Sequence, residues 1–426
     1  MCTSHCVRPG AAGLPPAALA ALADLYAHPA VRLLAGAFSD AGGQLFLVGG
    51  PVRDALTGCS GFADLDFTTN LRPAQIRRAV RPLGPIWAAG ERFGTIGVQV
   101  STPAGADKVE VTTFRKDVYT ADSRKPQVGF GDDVSTDLAR RDLTVNAIAL
   151  DTVTGCLIDP FNGRADLAAR ILRTPDDPVV TLTEDPLRIL RLLRFSGRLG
   201  AAISDELADA ARTCGHRLAI VSAERKLAEL DKLDELGPGR AAAALANAGH
   251  LGVLGQWIPG ADTGPGRDTL LGRLGDCLST AERLAVLLGH DRAALPGRLR
   301  ALTASTALTR GVSTLLDTAA ELSGPVPARP VLRGLLRTRD DDVLAAAARV
   351  RAVLDGVDSR VYTACVAVRD AEPHVRDRLP VTGDDLLAAG LTGRAVGAAL
   401  RACEQHVRAY GQLDRAGALA LASDGR

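Results

Sequence analysis

Three stretches of the chain carry residue types whose spacing can do chemistry. The first opens with Leu45-Phe46-Leu47-Val48-Gly49-Gly50-Pro51-Val52-Arg53-Asp54. An apolar run entering Gly-Gly and then a helix lets backbone N–H groups approach a phosphate closely. Arg53, one turn into that helix, adds a charged fork. Gly61-Phe62-Ala63-Asp64-Leu65-Asp66-Phe67 follows. Asp64 and Asp66 lie two apart on an expected strand, which turns both side chains to one face. Two carboxylates there repel unless a divalent cation sits between them, the arrangement that holds Mg2+ against a nucleoside triphosphate. Each half alone is a weak signal; in this order and spacing they are a strong one. Glu110, in Val109-Glu110-Val111-Thr112-Thr113-Phe114-Arg115, is a further carboxylate within an apolar strand. Burying it is costly unless it is paired or metal-bound. A third acidic role beside the metals, a pairing with Arg115 and a solvent-facing position all stay open.

The second stretch is Asp137-Leu138-Ala139-Arg140-Arg141-Asp142-Leu143-Thr144-Val145-Asn146-Ala147. Its arginines, beside Asp and Asn, suit triphosphate oxygens and ribose hydroxyls. Taken alone, the segment reads better as a helix surface with local ion pairs. The third is Glu184-Asp185-Pro186-Leu187-Arg188-Ile189-Leu190-Arg191-Leu192-Leu193-Arg194-Phe195. Asp185, Arg188, Arg191 and Arg194 recur every three residues on an expected helix, so the polar stripe winds across about half its surface. Asp185 and Arg188 are neighbours. An acceptor beside a donor fork matches the edge shared by cytosine and adenine and mismatches guanine and uracil, by about 1–3 kcal/mol per bidentate contact. Arg191 and Arg194 then reach towards phosphates. A helix cap with ordinary surface pairing is the alternative.

These residues need elements to hold them. Between Gln44 and Thr174, short apolar runs at 45–48, 65–68, 96–100 and 109–112 read as strands, and Arg72 to Leu83 reads as a helix with Pro73 in its first turn. From Thr183 onward the texture changes to Ala/Leu/Arg helices broken by Gly or Pro, as at Gly237-Pro238-Gly239. A mixed α/β region followed by an all-helical arm is expected.

Composition bounds the reading. With 426 residues, 46% of them hydrophobic, the chain has material for several cores. A net charge of +1 argues against binding nucleic acid by bulk electrostatics, and 4% aromatic content against serial base stacking. The basic residues include only five lysines, a bias that codon usage explains unless position gives the arginines a task. No apolar run reaches the ~18 residues of a membrane span. The stretch from Ala11 to Val31 reads as one amphipathic helix without the basic start of a signal peptide, so a cytoplasmic protein is expected. Eight scattered cysteines, none in CxxC, read as buried thiols of a reducing compartment. Cys2, His5 and Cys6 read as a frayed tail rather than a metal knuckle.

Taken together, GGPVRD, DLDFTTN, VEVTTFRKD, RRDLTVNAIA, DPFNGRADLAARILRT and EDPLRILRLLRF resemble the bacterial class II tRNA nucleotidyltransferases, the CCA-adding enzymes with their poly(A) polymerase relatives. The resemblance runs from about Leu45 to Leu236, with a weaker match over Leu379 to Leu400. It implies an α+β fold: a polymerase β-like nucleotidyltransferase head with a mixed sheet, then an all-helical neck, body and tail. The expected division is an N-terminal helical extension at 1–40, a catalytic head at 41–175, a nucleotide-selecting neck at 176–240 and a tRNA-binding body and tail at 241–426.

By that resemblance Asp64 and Asp66 bind two Mg2+ ions, with Glu110 as a third catalytic carboxylate. Gly50 and Arg53 hold the triphosphate, and Arg141 contacts the nucleotide. Asp185 and Arg188 form a protein template that selects CTP and then ATP, and Arg191 and Arg194 are further nucleotide-binding arginines. Ser222-Ala223-Glu224-Arg225 resembles the start of a later neck motif. The implied reaction is attack of the tRNA 3′-hydroxyl on the α-phosphate with loss of pyrophosphate. Neither a membrane nor a protein partner is implied.

Poly(A) polymerases carry a basic run where this chain has Gly90-Glu91-Arg92-Phe93-Gly94, and CC-only enzymes tend to lack a loop like the one from Phe114 to Pro126. Both readings therefore rank below full CCA addition. A catalytically silent RNA-binding protein has no physical reason to keep Asp64 beside Asp66. His290-Asp291 lacks the further ligands of a phosphohydrolase metal site and reads as coincidence.

Overall fold

The computed structural model describes residues 13–423 except Ala63, Ala89, Ala104, 119–126, Asp132 and 262–266. Cys2, His5, Cys6 and the stretch from Tyr119 to Pro126 therefore lie outside the described residues. Two compact units divide the chain. One runs to Glu229 and includes His250–Trp257; the other comprises Leu230–Gly249 and the chain from Ile258 onward.

The first unit is built on strands, the longer of which form where apolar residues run together, as in Leu45–Val48, or alternate, as in Thr95–Thr102 and Gly105–Thr113. They are β1 (Leu45–Val48), β2 (Leu65–Thr69), β3 (Ile86–Trp87), β4 (Thr95–Thr102), β5 (Gly105–Thr113), β6 (Arg115–Val118), β7 (Gln127–Phe130), β8 (Ala149–Asp151) and β9 (Leu157–Ile158). Seven of them make one mixed sheet in the order β3-β4-β5-β2-β1-β8-β9. Its only parallel pair among the described residues is β2 with β5, in which Asp66 lies opposite Glu110. The antiparallel β6–β7 hairpin stands apart from this sheet.

Leu65, Phe67, Ile96, Val98, Val109 and Val111 turn to one face of the sheet. There they pack with Leu22, Leu25, Val31, Leu34, Phe38, Ile76 and Val80. These come from helices α1 (Pro16–Ala27), α2 (Pro29–Asp40) and, after α3 (Gly50–Leu56), α4 (Pro73–Val80). The two N-terminal helices thus complete the core of the sheet. The single helix expected up to Val31 is in fact two. Pro29 has no N–H to donate into the first helix and pushes His28 to an extended ψ of 130°, so the chain restarts at Pro29. The helix expected from Arg72 is α-helical only to Val80 and tightens into a 3-10 turn at Arg81–Leu83, and Pro73 sits at its start. No single helix among the described residues is long and apolar enough to cross a membrane.

On the other face, α5 (Val134–Ala139) brings Val134 and Leu138 against Phe46, Val48, Phe114 and Ala149, covering the β1–β8 side. The β2–β5–β4 side of that face carries polar residues. Beyond it come α6 (Gly163–Ala169), α7 (Pro178–Glu184), α8 (Leu187–Leu199), α9 (Asp205–Cys214) and α10 (Ala223–Asp231), joined by one two-residue parallel pair, β10 (Ile171–Leu172) with β11 (Ala202–Ile203). Among the described residues β11 is the only strand beyond Thr183, where the change of texture predicts helices.

The second unit is helical. Its long helices include Thr306–Glu321, Asp341–Asp355 and Arg394–Tyr410. Arginine–carboxylate pairs bind it internally: fully buried Arg283 to Asp234, Arg349 to Glu282 and Arg337 to Glu404. Val381, Leu386, Leu391, Cys403 and Ala418 form a separate small core near the C-terminus. His290 and Asp291 both contact Arg298, at 3.1 Å each. Among the described residues, no group of three or more His, Cys, Asp or Glu side chains is placed to hold a metal ion.

Candidate active site

The open face of the sheet concentrates the acidic residues. Asp66, on β2, and Glu110, on β5, are direct cross-strand partners and both are exposed. Glu110 is therefore neither sheet-buried nor remote. It takes the solvent-facing position, beside the Asp pair. Asp64 departs from the expected geometry: pairing with β5 begins at Leu65, so Asp64 lies in the loop just before the strand. Asp66 is open to solvent at its tip, yet protein packed closely around it strips part of its hydration, and this desolvation raises its pKa above the ordinary carboxylate value. Glu110 and Asp64 add to that rise by like-charge repulsion, while Arg141 and Arg191 oppose it.

Arg141 flanks these carboxylates. Gly49, with φ of +76°, turns the chain from β1 into α3, and a side chain there would stand 3.3 Å from the Arg141 guanidinium. Glycine is required twice over, by the backbone angle and by the close approach. Arg141 is loosely held. Its nearest anionic partner, Asp137, is 3.5 Å away, and its buried Nε has no hydrogen-bond partner. Burial lowers its pKa, which an arriving anion would reverse. Asp137 accepts from both Arg140 and the Arg115 backbone N–H through Oδ1, and these neighbours with Arg141 depress its pKa despite full burial.

The remaining arginines are engaged by the protein itself. Arg53 is 3% exposed, pairs with Asp54, donates to Asn146 Oδ1 at 2.6 Å and lies 5.0 Å from the Phe195 ring centre. Asn146 donates to Asp142 Oδ1 at 3.0 Å, and Arg191 binds Asp142 Oδ2 through Nε and Nη2, both at 2.7 Å. Burial pushes Asp142 up, but Arg191 and Asn146 outweigh it and hold the carboxyl below its ordinary pKa. The Arg140–Arg141–Asp142 segment is thus an interior junction, because Asp137 and Asp142 are buried. The helix-surface half of the expectation is overturned, while its local ion pairs are present, Asp137 with Arg140 at i,i+3 and with Arg141 at i,i+4.

The stripe from Asp185 to Arg194 is only partly a surface feature: Arg188 and Arg194 are buried, whereas Asp185 and Arg191 are half-buried. Asp185 ends α7 in an extended conformation before α8 begins, and its Oδ1 accepts from the Leu187 N–H. Its other oxygen lies 3.3 Å from Arg225 on α10. Arg188 donates to the backbone carbonyls of Thr181 and Arg140, at 3.1 and 2.7 Å, with Glu184 at 3.7 Å. Arg194 is buried against Glu229 at 2.7 Å, and Arg198 reaches Asp54 at 3.0 Å. Helix α8 is buried almost all round, so its arginines bond to protein groups: Arg188, Arg191 and Arg198 reach into the segments that flank the sheet, and Arg194 turns to α10. Sequence reasoning undervalued Asp142, Asn146 and Asp54. Their signal lay in the same motifs, as companions of the arginines.

Residues 45–173 match the Poly A polymerase head domain family. The chain is 36% identical over 208 residues to the CCA-adding enzyme of Bacillus subtilis, covering 49% of each chain. It is 39% identical over 225 residues to the CCA-adding enzyme of Bacillus licheniformis, covering 52% of this chain and 53% of that one. It thus spans about half the length of the relatives it matches in sequence. In structure it is similar to a Bacillus stearothermophilus CCA-adding enzyme solved in complex with CTP, with a TM-score of 0.74 and 25% identity, over 94% of this chain and 97% of that one. The head motifs, the mixed sheet and the helical remainder agree with these likenesses: residues 45–173 belong to the Poly A polymerase head domain family, and the chain is similar in fold over nearly its whole length to a CCA-adding enzyme.

Proposed function

We propose that the chain is a template-independent tRNA nucleotidyltransferase that builds the 3′-terminal CCA of tRNA from CTP and ATP. One juxtaposition carries this reading. The paired carboxylates Asp66 and Glu110 lie on an open sheet face beside Arg141, whose buried Nε lacks a partner over the bare Gly49 backbone. Crowded acids next to an underused guanidinium suit a polyphosphate that arrives with cations.

The tRNA 3′-hydroxyl oxygen attacks the α-phosphorus, the bond to the β-phosphate breaks, and pyrophosphate leaves with the electron pair. Asp64 and Asp66 would hold divalent cations, two Mg2+ ions in this reading, which supply charge neutralisation at the reacting phosphate. Two carboxylates suffice because Mg2+ completes its shell with water and phosphate oxygens. The raised pKa of Asp66 fits such a site, since a cation there relieves the repulsion that raises it. Arg141 binds phosphate oxygens, and Gly49-Gly50 leaves room for them. Arg53 and Arg191 act through the Asn146–Asp142 link, which fixes the floor beneath the nucleotide.

Asp185 and Arg188 select cytosine or adenine, with the Arg188 fork aimed by the carbonyls of Thr181 and Arg140. Residues 41–175 serve as catalytic head, 176–240 as the nucleotide-selecting neck and 241–426 as the tRNA-binding arm. The reading expects a cytoplasmic protein whose partners are tRNA, CTP and ATP.

The test supplies purified protein, Mg2+ and tRNA ending at the discriminator base, with each nucleotide singly and in combination. Addition of three nucleotides from CTP plus ATP is expected. Long A tails from ATP alone would mark a poly(A) polymerase, and two cytidines without adenosine a CC-only enzyme. No addition at all would favour a silent RNA-binding protein.

A further inference from the structure

We propose that Trp87 is the stacking platform for the 3′-terminal nucleobase of the RNA being extended, an inference that rests on the nucleotidyltransferase reading above. Trp87 pairs with Gly97, Gly97 with Glu110, and Glu110 with Asp66, so the four form one row across β3, β4, β5 and β2 on a single face. The indole fills the place of a Gly97 side chain. A Cβ there would fall 1.9 Å from Cε2, 2.2 Å from Nε1 and 2.4 Å from Cζ2. The ring therefore lies one strand spacing, about 5 Å, from the Glu110 backbone and about 10 Å from that of Asp66. It stops where a base joined to the reacting 3′-hydroxyl would lie.

The core does not account for this indole. Its neighbour Ile86 packs against the hydrophobic core, whereas Trp87 stands half-buried on the polar face with Thr95, Thr112, Glu110 and Asp66. The carboxylates divide that face in two. Arg141 and Arg191 act on Asp66 from the other flank, where a triphosphate finds its cations. The Trp87 flank offers an aromatic surface instead. During stepwise addition the terminal base changes from the discriminator base to cytidine, so hydrogen-bond reading of that base would fail after one step. Stacking tolerates every base, because each has a π-face.

The test compares Trp87→Leu, which keeps apolar bulk, with Trp87→Phe, which keeps a ring, and with Gly97→Ala, whose methyl group evicts the indole. Trp87→Leu and Gly97→Ala should raise the KM for tRNA about tenfold, within the range of one lost base–aromatic stack, and leave the KM for CTP within twofold. Trp87→Phe should restore most of the tRNA KM. Thermal melting confirms that each variant is folded.

A second readout needs no turnover. An acceptor-stem hairpin with a 3′-terminal base should quench Trp87 fluorescence, and one with an abasic 3′ end should not; fully buried Trp257 supplies the constant background. Equal quenching by both hairpins, quenching by CTP alone, or a rise in the CTP KM in place of the tRNA KM would overturn the proposal. Base-dependent quenching in a protein that adds no nucleotide would refute the activity and keep the platform. Normal CCA addition by Trp87→Leu with an unchanged tRNA KM would keep the activity and remove the platform.

Discussion

On the open sheet face, Asp66 stands beside Glu110 and near Asp64, and its pKa is raised. Along α8, by contrast, Arg191 lies against Asp142, Arg194 against Glu229 and Arg198 against Asp54. Both regions belong to the same unit and draw on the same two residue classes. One leaves like charges crowded together, and the other matches each charge with an opposite one. A crowded set is unfavourable in the protein alone and becomes favourable when a cation arrives, so it belongs to chemistry. A matched set is satisfied before any ligand arrives, so it belongs first to architecture. Arg141 stands between the two regimes: half-buried, as Arg191 is, but with Asp137 only at 3.5 Å and its buried Nε without a partner.

The sharpest way to break this comparison is Asp66→Ala. On the proposed function it should cut nucleotide incorporation by about 10³-fold or more, since a carboxylate that held a metal ion there would supply several kcal/mol of transition-state stabilisation. Affinity for tRNA, measured by filter binding, should stay within a few-fold. Retained incorporation would remove Asp66 from the active site.

Asp142→Ala attacks the matched region. It strips Arg191 and Asn146 of their shared partner and should cost about 3 kcal/mol in urea unfolding, as breaking a buried pair does. The associated pH dependence has a definite sign. The pKa values of Asp142 and Asp137 are depressed in the folded state, so their stabilisation is complete above the unfolded carboxylate value of 3.8 and is lost as pH falls through the folded values. Stability of the wild type should therefore drop on acidification below that value, and Asp142→Asn should flatten the drop. An equal drop in the variant would contradict the assignment.

Arg188→Ala should narrow discrimination against UTP and GTP by about tenfold, from the loss of one bidentate contact. Incorporation assays with each nucleotide check it, and unchanged selectivity would deny Arg188 a template role. The smallest effect falls on stability at the crowded site. Because Asp66 has a raised folded pKa, its ionisation destabilises the fold at neutral pH, and the penalty disappears below the ordinary carboxylate range. Asp66→Asn should thus raise the melting temperature by about 1–3 °C at neutral pH and by nothing in acid, while abolishing activity. A fall in melting temperature at pH 7 would mean that Asp66 is already compensated.

Strand β1 was legible as a continuous apolar run of four residues, and β2, β4 and β5 because apolar residues alternate along them. The two-residue strands β3 and β9 were not, since so short a segment has no period and is held in place by its neighbours. The same limit hid Trp87, whose meaning depends on the row it joins. The DxD, RRD and EDxxR segments were found at their positions, but their environments were not. Arg188 meets the Arg140 carbonyl across 48 residues, and Arg191 meets Asp142 across 49. No local periodicity reports such a distance.

What the sequence by itself determined is the inventory: a Gly-Gly turn into a helix, a carboxylate pair entering a strand, three arginine-bearing motifs and the passage from mixed α/β to all-helical texture. Those follow from side-chain chemistry and from the periods of 2 and 3.6 residues that local backbone geometry imposes. Only the tertiary structure decided which charges are matched. Parallel pairing of β2 with β5 sets Asp66 beside Glu110, and the burial of α8 gives its arginines protein partners. A charge costs most where water is removed, and which side chains lose their water is settled by packing between segments far apart in the chain.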